Sequence, residues 1–200
     1  MTTKMAAKRA IARADILDPE QYAKDRRELK RKVTELKRNR RIEVGPFATF
    51  YFENYDTMWH QVHEMLHIER GGEAQIADEL AAYNPLIPQG DELIATVMFE
   101  IENAERRAAM LAQLGGVENN IYLSAGGERI NGVPDPTREN SSPDGKASAV
   151  QFVRFPFTPA QKAKFRASGA PVLCGIDHPR YGHIAVMSDA VRAALAEDFA

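Results

Sequence analysis

Between Asp18 and Arg41 apolar side chains are sparse and recur at helical spacing: Tyr22, Leu29, Val33 and Leu36 make a thin seam along an otherwise charged segment. Asp18-Pro19-Glu20 is a strong start, since an Asp carboxylate accepts free backbone N–H groups and a proline in the first turn has no donor to lose. The pattern predicts one long helix with most of its surface basic. The stretch before it, MTTKMAAKRAIARADIL, reads as a solvated leading helix. In RIEVGPFATFYFEN, Gly45-Pro46 breaks two β-prone runs, which predicts a hairpin whose second strand carries apolar residues on both faces. A helix follows from Asn54 to Gly71-Gly72, and EAQIADELAAY makes another that runs into Asn84-Pro85.

Beyond residue 90 strands and helices alternate. LIATVMFEI is strand-like, NAERRAAMLAQL is a helix stopped by Gly115-Gly116, and NIYLSAGGERINGV turns back at Gly126-Gly127. The polar loop PDPTRENSSPDGKAS follows, and its prolines and glycine mark residues 133–148 as the loosest internal segment. The order then repeats: the strand AVQFVRFPF, the Thr158-capped helix TPAQKAKFRASG, the strand pair in PVLCGIDHPRYGHIAVM, and a last helix from Ser188. Two strand–helix–hairpin units thus lie one loop apart, the mark of a weak internal duplication. The fold class is α+β: one mixed or antiparallel sheet built from these units with helices on one face, behind a helical N-terminal third. We expect a single domain over 1–200, with a basic helical arm at 1–41, a hairpin and two helices at 42–90, and the two units at 91–200.

Composition narrows the class. An apolar share of 44% and a charged share of 27% suit a globular protein, and no apolar run nears the roughly 20 residues that span a bilayer. The N-terminus lacks the apolar core of a secretory signal, and the lone Cys174 asks for no oxidising compartment, so a cytoplasmic location is expected. Charge is uneven. Residues 1–41 carry 14 Lys/Arg against 6 Asp/Glu, whereas the whole chain carries 26 against 28, so a basic arm precedes an acidic body.

Candidate chemistry centres on MWHQVHEMLHIER, residues 58–70, which contains the zinc-protease string H-E-x-x-H at His63 to His67. Tyr55, Met58, Trp59, Val62, Met65 and Leu66 form the apolar stripe, and His60, His63 and His67 line up on the far side with Glu64 beside them. Imidazoles at i and i+4 can share one zinc ion, and Glu64 could act as general base on a metal-bound water. The third ligand would be a carboxylate of the next helix, Glu73, Asp78 or Glu79. Iron is the other candidate, because Glu64-x-x-His67 is half of a di-iron motif that a symmetric dimer would complete. Against both, Arg70 occupies the glycine position of the longer protease pattern and no third histidine follows. The alternative is a polar stripe facing solvent or a partner.

LCGIDHPRYGH gathers a second group. Cys174 and His178 lie about 13 Å apart along a strand, too far to chelate one ion, and a strand-borne Cys174 reads as a small buried hydrophobe. Asp177, His178 and His183 could line a small polar pocket, or could fix the turn at Pro179. On the arm, Arg26, Arg27, Lys30, Arg31, Lys37, Arg38, Arg40 and Arg41 offer a positive face for phosphates or an acidic protein. Few aromatics accompany them, which makes nucleic acid an unlikely partner.

Several stretches, LKRNRRIEVGPFATFYFEN, HEMLHIERGGEAQIADELAAYNPLIPQGDELIATVMFEI, KASAVQFVRFPFTPAQ and GIDHPRYGH, together resemble a bacterial family known only as a domain of unknown function. Members of that family are often encoded beside rubrerythrin-like proteins and cysteine-rich iron–sulfur oxidoreductases, which implies a protein partner in redox chemistry. In the family pattern Glu64-Met65-Leu66 and Ile68-Glu69-Arg70 belong together, while the positions of His60 and His67 commonly hold other residues. The resemblance shifts weight from His67 to Glu64, Glu69 and Arg70, and Glu69 is expected to turn inward onto an arginine. The leading expectation is an accessory or binding protein that docks a redox partner, with a metal-binding protein or metal-dependent hydrolase as the alternative.

Overall fold

A computed structural model describes residues 8–167 and 169–200. Helix α1 (Pro19–Arg38) starts where Asp18 accepts the N–H groups of Glu20 and Gln21. Strands β1 (Arg41–Val44) and β2 (Ala48–Phe52) form the first hairpin, and helices α2 (Tyr55–Glu69) and α3 (Glu73–Tyr83) follow. The two repeated units are β3 (Glu92–Phe99), α4 (Ala104–Leu111), β4 (Ile121–Ala125) and β5 (Glu128–Asn131), then, after the two-residue β6 (Val133–Pro134), β7 (Val150–Pro156), α5 (Pro159–Arg166), β8 (Val172–His178) and β9 (Tyr181–Val186). Helix α6 (Asp189–Ala196) closes the chain, with the Ser188 hydroxyl at its N-cap.

The α+β class holds, but the strands divide into two antiparallel sheets where one was expected. Their orders are β1-β2-β3-β7-β6 and β5-β4-β8-β9. Each unit sends its first strand to the larger sheet, where β3 and β7 pair, and its hairpin to the smaller one, where β4 and β8 pair. Strand alternation explains the split. Phe50, Phe52, Leu93, Val97 and Phe155 share one core with Leu123, Ile130, Cys174 and Ile176 of the other sheet, whereas Ile94 and Phe152 point to the opposite face and pack under α2 and α3. Burying each of these large side chains contributes about 1.5–3 kcal/mol. Cys174 is fully buried in this core, as a small hydrophobe, and burial pushes its thiol well above the ordinary range.

Three ties fix the ends. Arg40 is buried rather than part of a solvated arm: its guanidinium donates to the Phe52 and Glu53 carbonyls, each at 3.0 Å, and to the Asp198 carboxylate after α6. Arg192 donates to the carbonyls of Lys164, Phe165 and Ala170 around the end of α5. The segment 133–148, expected to be loose, is pinned at several points. Ala147 N–H donates to the Leu111 carbonyl, Ser141 to Glu118, and Gln151 to the Asn140 carbonyl. A β-carbon on Gly115 would lie 2.2 Å from the Gly145 carbonyl oxygen, so loop and turn touch directly.

The leading stretch also departs from expectation. Residues 1–7 lie outside the described residues; from Lys8 the chain is a strap with one short 3-10 turn at Arg13–Asp15, and Ile11 and Ile16 are buried. Asn84 exchanges two hydrogen bonds with the Ile11 backbone, and Trp59 donates to the Asp15 carbonyl. Among the described residues no helix is long and apolar enough to cross a membrane.

Tyr181 locks the first hairpin to the smaller sheet. Its buried hydroxyl donates to the Val44 carbonyl at 2.8 Å and accepts from the Phe47 and Ala48 N–H groups at 2.9 Å each. Removing it leaves buried donors without an acceptor, which costs about 1–3 kcal/mol. Tyr181→Phe is therefore expected to lower unfolding free energy by about 2 kcal/mol in urea titration, without change in the slope against denaturant.

Candidate functional site

Helix α2 begins with reciprocal bonds between Asn54 and Thr57 and ends at Arg70, which takes a left-handed φ of 55° as the helix cap ahead of Gly71-Gly72. One side of α2 packs on the sheet and α3 through Met58 and Val62. The opposite side, expected to face solvent or a second copy, is covered by the chain's own strap and by α1. The polar line on α2 is therefore an internal seam.

Glu64 is its centre. Arg26 of α1 donates Nε–H and Nη2–H to the two carboxylate oxygens at 2.8 Å each, and the Tyr22 hydroxyl adds a third bond at 2.8 Å. The Arg26 pair, with help from Tyr22, holds the Glu64 carboxyl down at about 2, and burial pushes the Tyr22 phenol above its usual range. A carboxylate so committed is a poor general base. The sequence expectation of an inward carboxylate–arginine pair thus applies to Glu64 and not to Glu69. Glu69 is exposed and accepts from the Gln75 side chain.

His63 is 2% exposed and uses both ring nitrogens: Nδ1 donates to the Trp59 carbonyl at 2.8 Å, and Nε2 accepts the Leu17 N–H at 3.0 Å. Those partners fix the neutral tautomer. To bind zinc through Nε2, His63 would have to release the strap. His60 is also buried, 8% exposed, within electrostatic reach of Glu64, Lys30 and Lys37, and its Nε2 has no hydrogen-bond partner. The third-ligand candidates on α3 are otherwise engaged or turned out: Glu79 accepts from Gln75 and Asp78 is exposed. Among the described residues no group of three or more His, Cys, Asp or Glu side chains is gathered closely enough to hold a metal ion.

Past His63 the seam opens. Between residues 13–23 and the α2–α3 junction lies a cleft of about 790 Å³, lined by Leu17, Tyr22, Leu66, His67, Arg70 and Ile76 among others. His67 meets the Tyr22 ring edge, at a centroid distance of 5.9 Å. Gln75, which carried no signal in the sequence, organises this corner: its side-chain oxygen accepts the Gly71 N–H and its amide donates to Glu69 and Glu79.

The other sequence candidates scatter. Asp177 pairs with Arg129 at 3.1 Å, His178 accepts the Arg180 N–H within its own turn, and His183 packs its ring against Gly45 and Tyr181. His178 and His183 thus secure turns. On the basic arm Arg38 pairs with Glu35 and Arg41 with Glu43, while exposed Lys24, Arg27 and Lys30 make no ion pair among the described residues.

Residues 10–199 match a family described as a protein of unknown function, DUF3501. The chain belongs to the DUF3501 family. A crystal structure of a protein of unknown function from Burkholderia pseudomallei is similar to this DUF3501 chain at 38% identity and a TM-score of 0.88, covering 96% of this chain and 100% of that one. No curated protein matches the chain.

The seam makes stability depend on pH in two separate windows. Burial holds His60 and His63 below their ordinary value, so the unfolded chain binds protons there that the folded one does not. Stability is full above about pH 6.5 and falls on acidification below it. Glu64, held at about 2, adds stability that is present above its ordinary 4.5 and is lost as pH falls toward 2. Urea titrations from neutral to acid pH are expected to show both limbs; a profile flat down to about pH 5 would refute the histidine limb. Glu64→Gln should shrink the lower limb, to which ion-paired Asp15, Glu73 and Asp91 also contribute, and cost about 2 kcal/mol at neutral pH.

Proposed function

We propose that this protein is a cytoplasmic binding or accessory protein, without chemistry of its own, that docks an acidic redox protein through the outer face of α1. The observation that carries this reading is how the charges are used. The residues of H-E-x-x-H best suited to catalysis, His63 and Glu64, are committed to holding the strap and α1 in place. Docking α1 by its Tyr22, Arg26 and Val33 side leaves Lys24, Arg27 and Lys30 exposed and, among the described residues, without an ion pair. Three unpaired cations on a rigid helix make a complementary surface for an acidic protein, and such surfaces act mainly on association rate and specificity. The family resemblance supplies the partner class, a rubrerythrin-like protein or an iron–sulfur oxidoreductase. Arg38 at the end of α1 and Arg41 at the start of β1 make exposed pairs with Glu35 and Glu43, which can exchange for a partner's carboxylates at little cost.

The test is calorimetric titration of the full chain with a purified rubrerythrin-like protein and an iron–sulfur oxidoreductase from the same source. Affinity should fall steeply between about 0.05 M and about 0.5 M salt, as exposed charges are screened. Changing Lys24, Arg27 and Lys30 together to Glu should weaken it at least about tenfold with the fold intact. Salt-independent binding, or a reversal that alters only self-association in sedimentation, would sink the proposal; the latter result would make the occupant a second copy.

A further inference from the structure

The cleft at the open end of the α1–α2 seam is separate from the outer face of α1 and carries its own inference. Its walls are mainly apolar: Ile16 and Leu17 from the strap, Leu66 from α2 and Ile76 from α3. At about 790 Å³ it falls in the range of small-molecule sites, roughly 300–1,000 Å³. Eight lining residues carry polar or charged side chains, and most of these are occupied. Asp18 is used by the N-terminus of α1, and Glu73 is neutralised by a two-point ion pair with Arg13, at 2.6 and 2.7 Å.

Two groups in the lining remain available. Among the described residues the Arg70 guanidinium makes no hydrogen bond or ion pair, and neither ring nitrogen of His67 makes a hydrogen bond. They lie three residues apart, at the last turn and cap of α2, so both can reach one end of the slot. Arg70 is held at φ 55°, a conformation that favours glycine, so the cation stands where a glycine would fit the backbone better. A planar guanidinium with free donors beside an imidazole is suited to a carboxylate, and the apolar walls are suited to a hydrocarbon or aryl tail. Three carboxylates oppose an anion there: Asp18, held by backbone N–H groups, Glu73, paired with Arg13, and Glu20, exposed and without an ion pair among the described residues.

We infer that the cleft between the strap and the α2–α3 junction binds a small apolar carboxylic acid, with its carboxylate on Arg70 and His67 and its tail over Leu17, Leu66 and Ile76. This needs no partner protein and stands whether or not α1 docks one.

Trp59, the single tryptophan, reports on the site, because its ring lies 4.0 Å from the His63 ring that lines the cleft. The full chain is titrated with octanoate and with 3-phenylpropionate, and in parallel with 1-octanol, following tryptophan fluorescence and thermal melting. Saturable binding of at least one acid, with a raised Tm and at least about tenfold preference over the alcohol, is the expected result. Arg70→Gly should abolish that preference while leaving Tm of the free protein unchanged or higher, since glycine suits the backbone there. That variant separates loss of recognition from loss of fold. Glu20→Gln should tighten binding of the acid by removing a like charge. Absence of saturable binding for both acids, equal binding of octanol, or undiminished binding by Arg70→Gly would each overturn the inference.

Discussion

The Glu64 carboxylate, largely shielded from water on the flank of α2, is the constraint around which the N-terminal third is arranged. A carboxylate in that position needs donors, and among the described residues α1 alone supplies them, through the two-point Arg26 pair and the Tyr22 hydroxyl. Meeting that need fixes α1 along α2. With α1 in place, the strap before it must cross the end of the same helix, and there Leu17 N–H finds His63 and the Asp15 carbonyl finds Trp59. The α1 face turned to solvent is then the one with most Lys and Arg. The cleft is the remainder: the space left where strap, α2 and α3 converge but do not close.

The β part rests on a different device. Because β3 pairs with β7 and β4 with β8, the two units meet in both sheets, and the larger hydrophobic core lies between the sheets while a smaller one lies under α2 and α3. Each unit alone would expose one face of a strand and one face of a hairpin, so neither buries its apolar residues without the other. The first hairpin extends the larger sheet beyond β3, and Tyr181 reaches from the smaller sheet to hold its turn. Gly45 is required there, with a φ of 70° and the His183 ring in the place of a side chain.

Local chemistry was legible wherever punctuation was strong. Asp18-Pro19, Asn54, Thr158-Pro159 and Ser188 each cap the helix expected of them, and Gly126-Gly127 turns the hairpin as expected. What the sequence left unread was pairing at a distance. Period-2 alternation in β3 is the same whether its two faces meet one sheet and solvent or one sheet and two helices, so the second sheet was hidden. The strap carries too few apolar residues to announce itself; Ile11 and Ile16 are buried by its hydrogen bonds to Asn84, His63 and Trp59, partners 44 to 73 positions away. Gln75 is an ordinary helix residue until the Gly71 turn folds back onto it.

The histidine line shows why polarity alone is a weak guide to a site. A helix with apolar residues on one side and His, Glu and His on the other can face solvent, a metal or a second helix, and the groups that ligate an ion are also those that satisfy a docked backbone. Here the choice changes along α2. Up to Glu64 the polar groups are short of water, and His63 and Glu64 take their partners from Leu17, Tyr22 and Arg26. From Leu66 onward the covering segment has passed, and His67 and Arg70 keep the same chemistry without the same partners. One helix face thus divides into an anchoring half and an open half, and the boundary falls inside the H-E-x-x-H string. This is why its first histidine and its glutamate serve the fold while its second histidine lines the cleft.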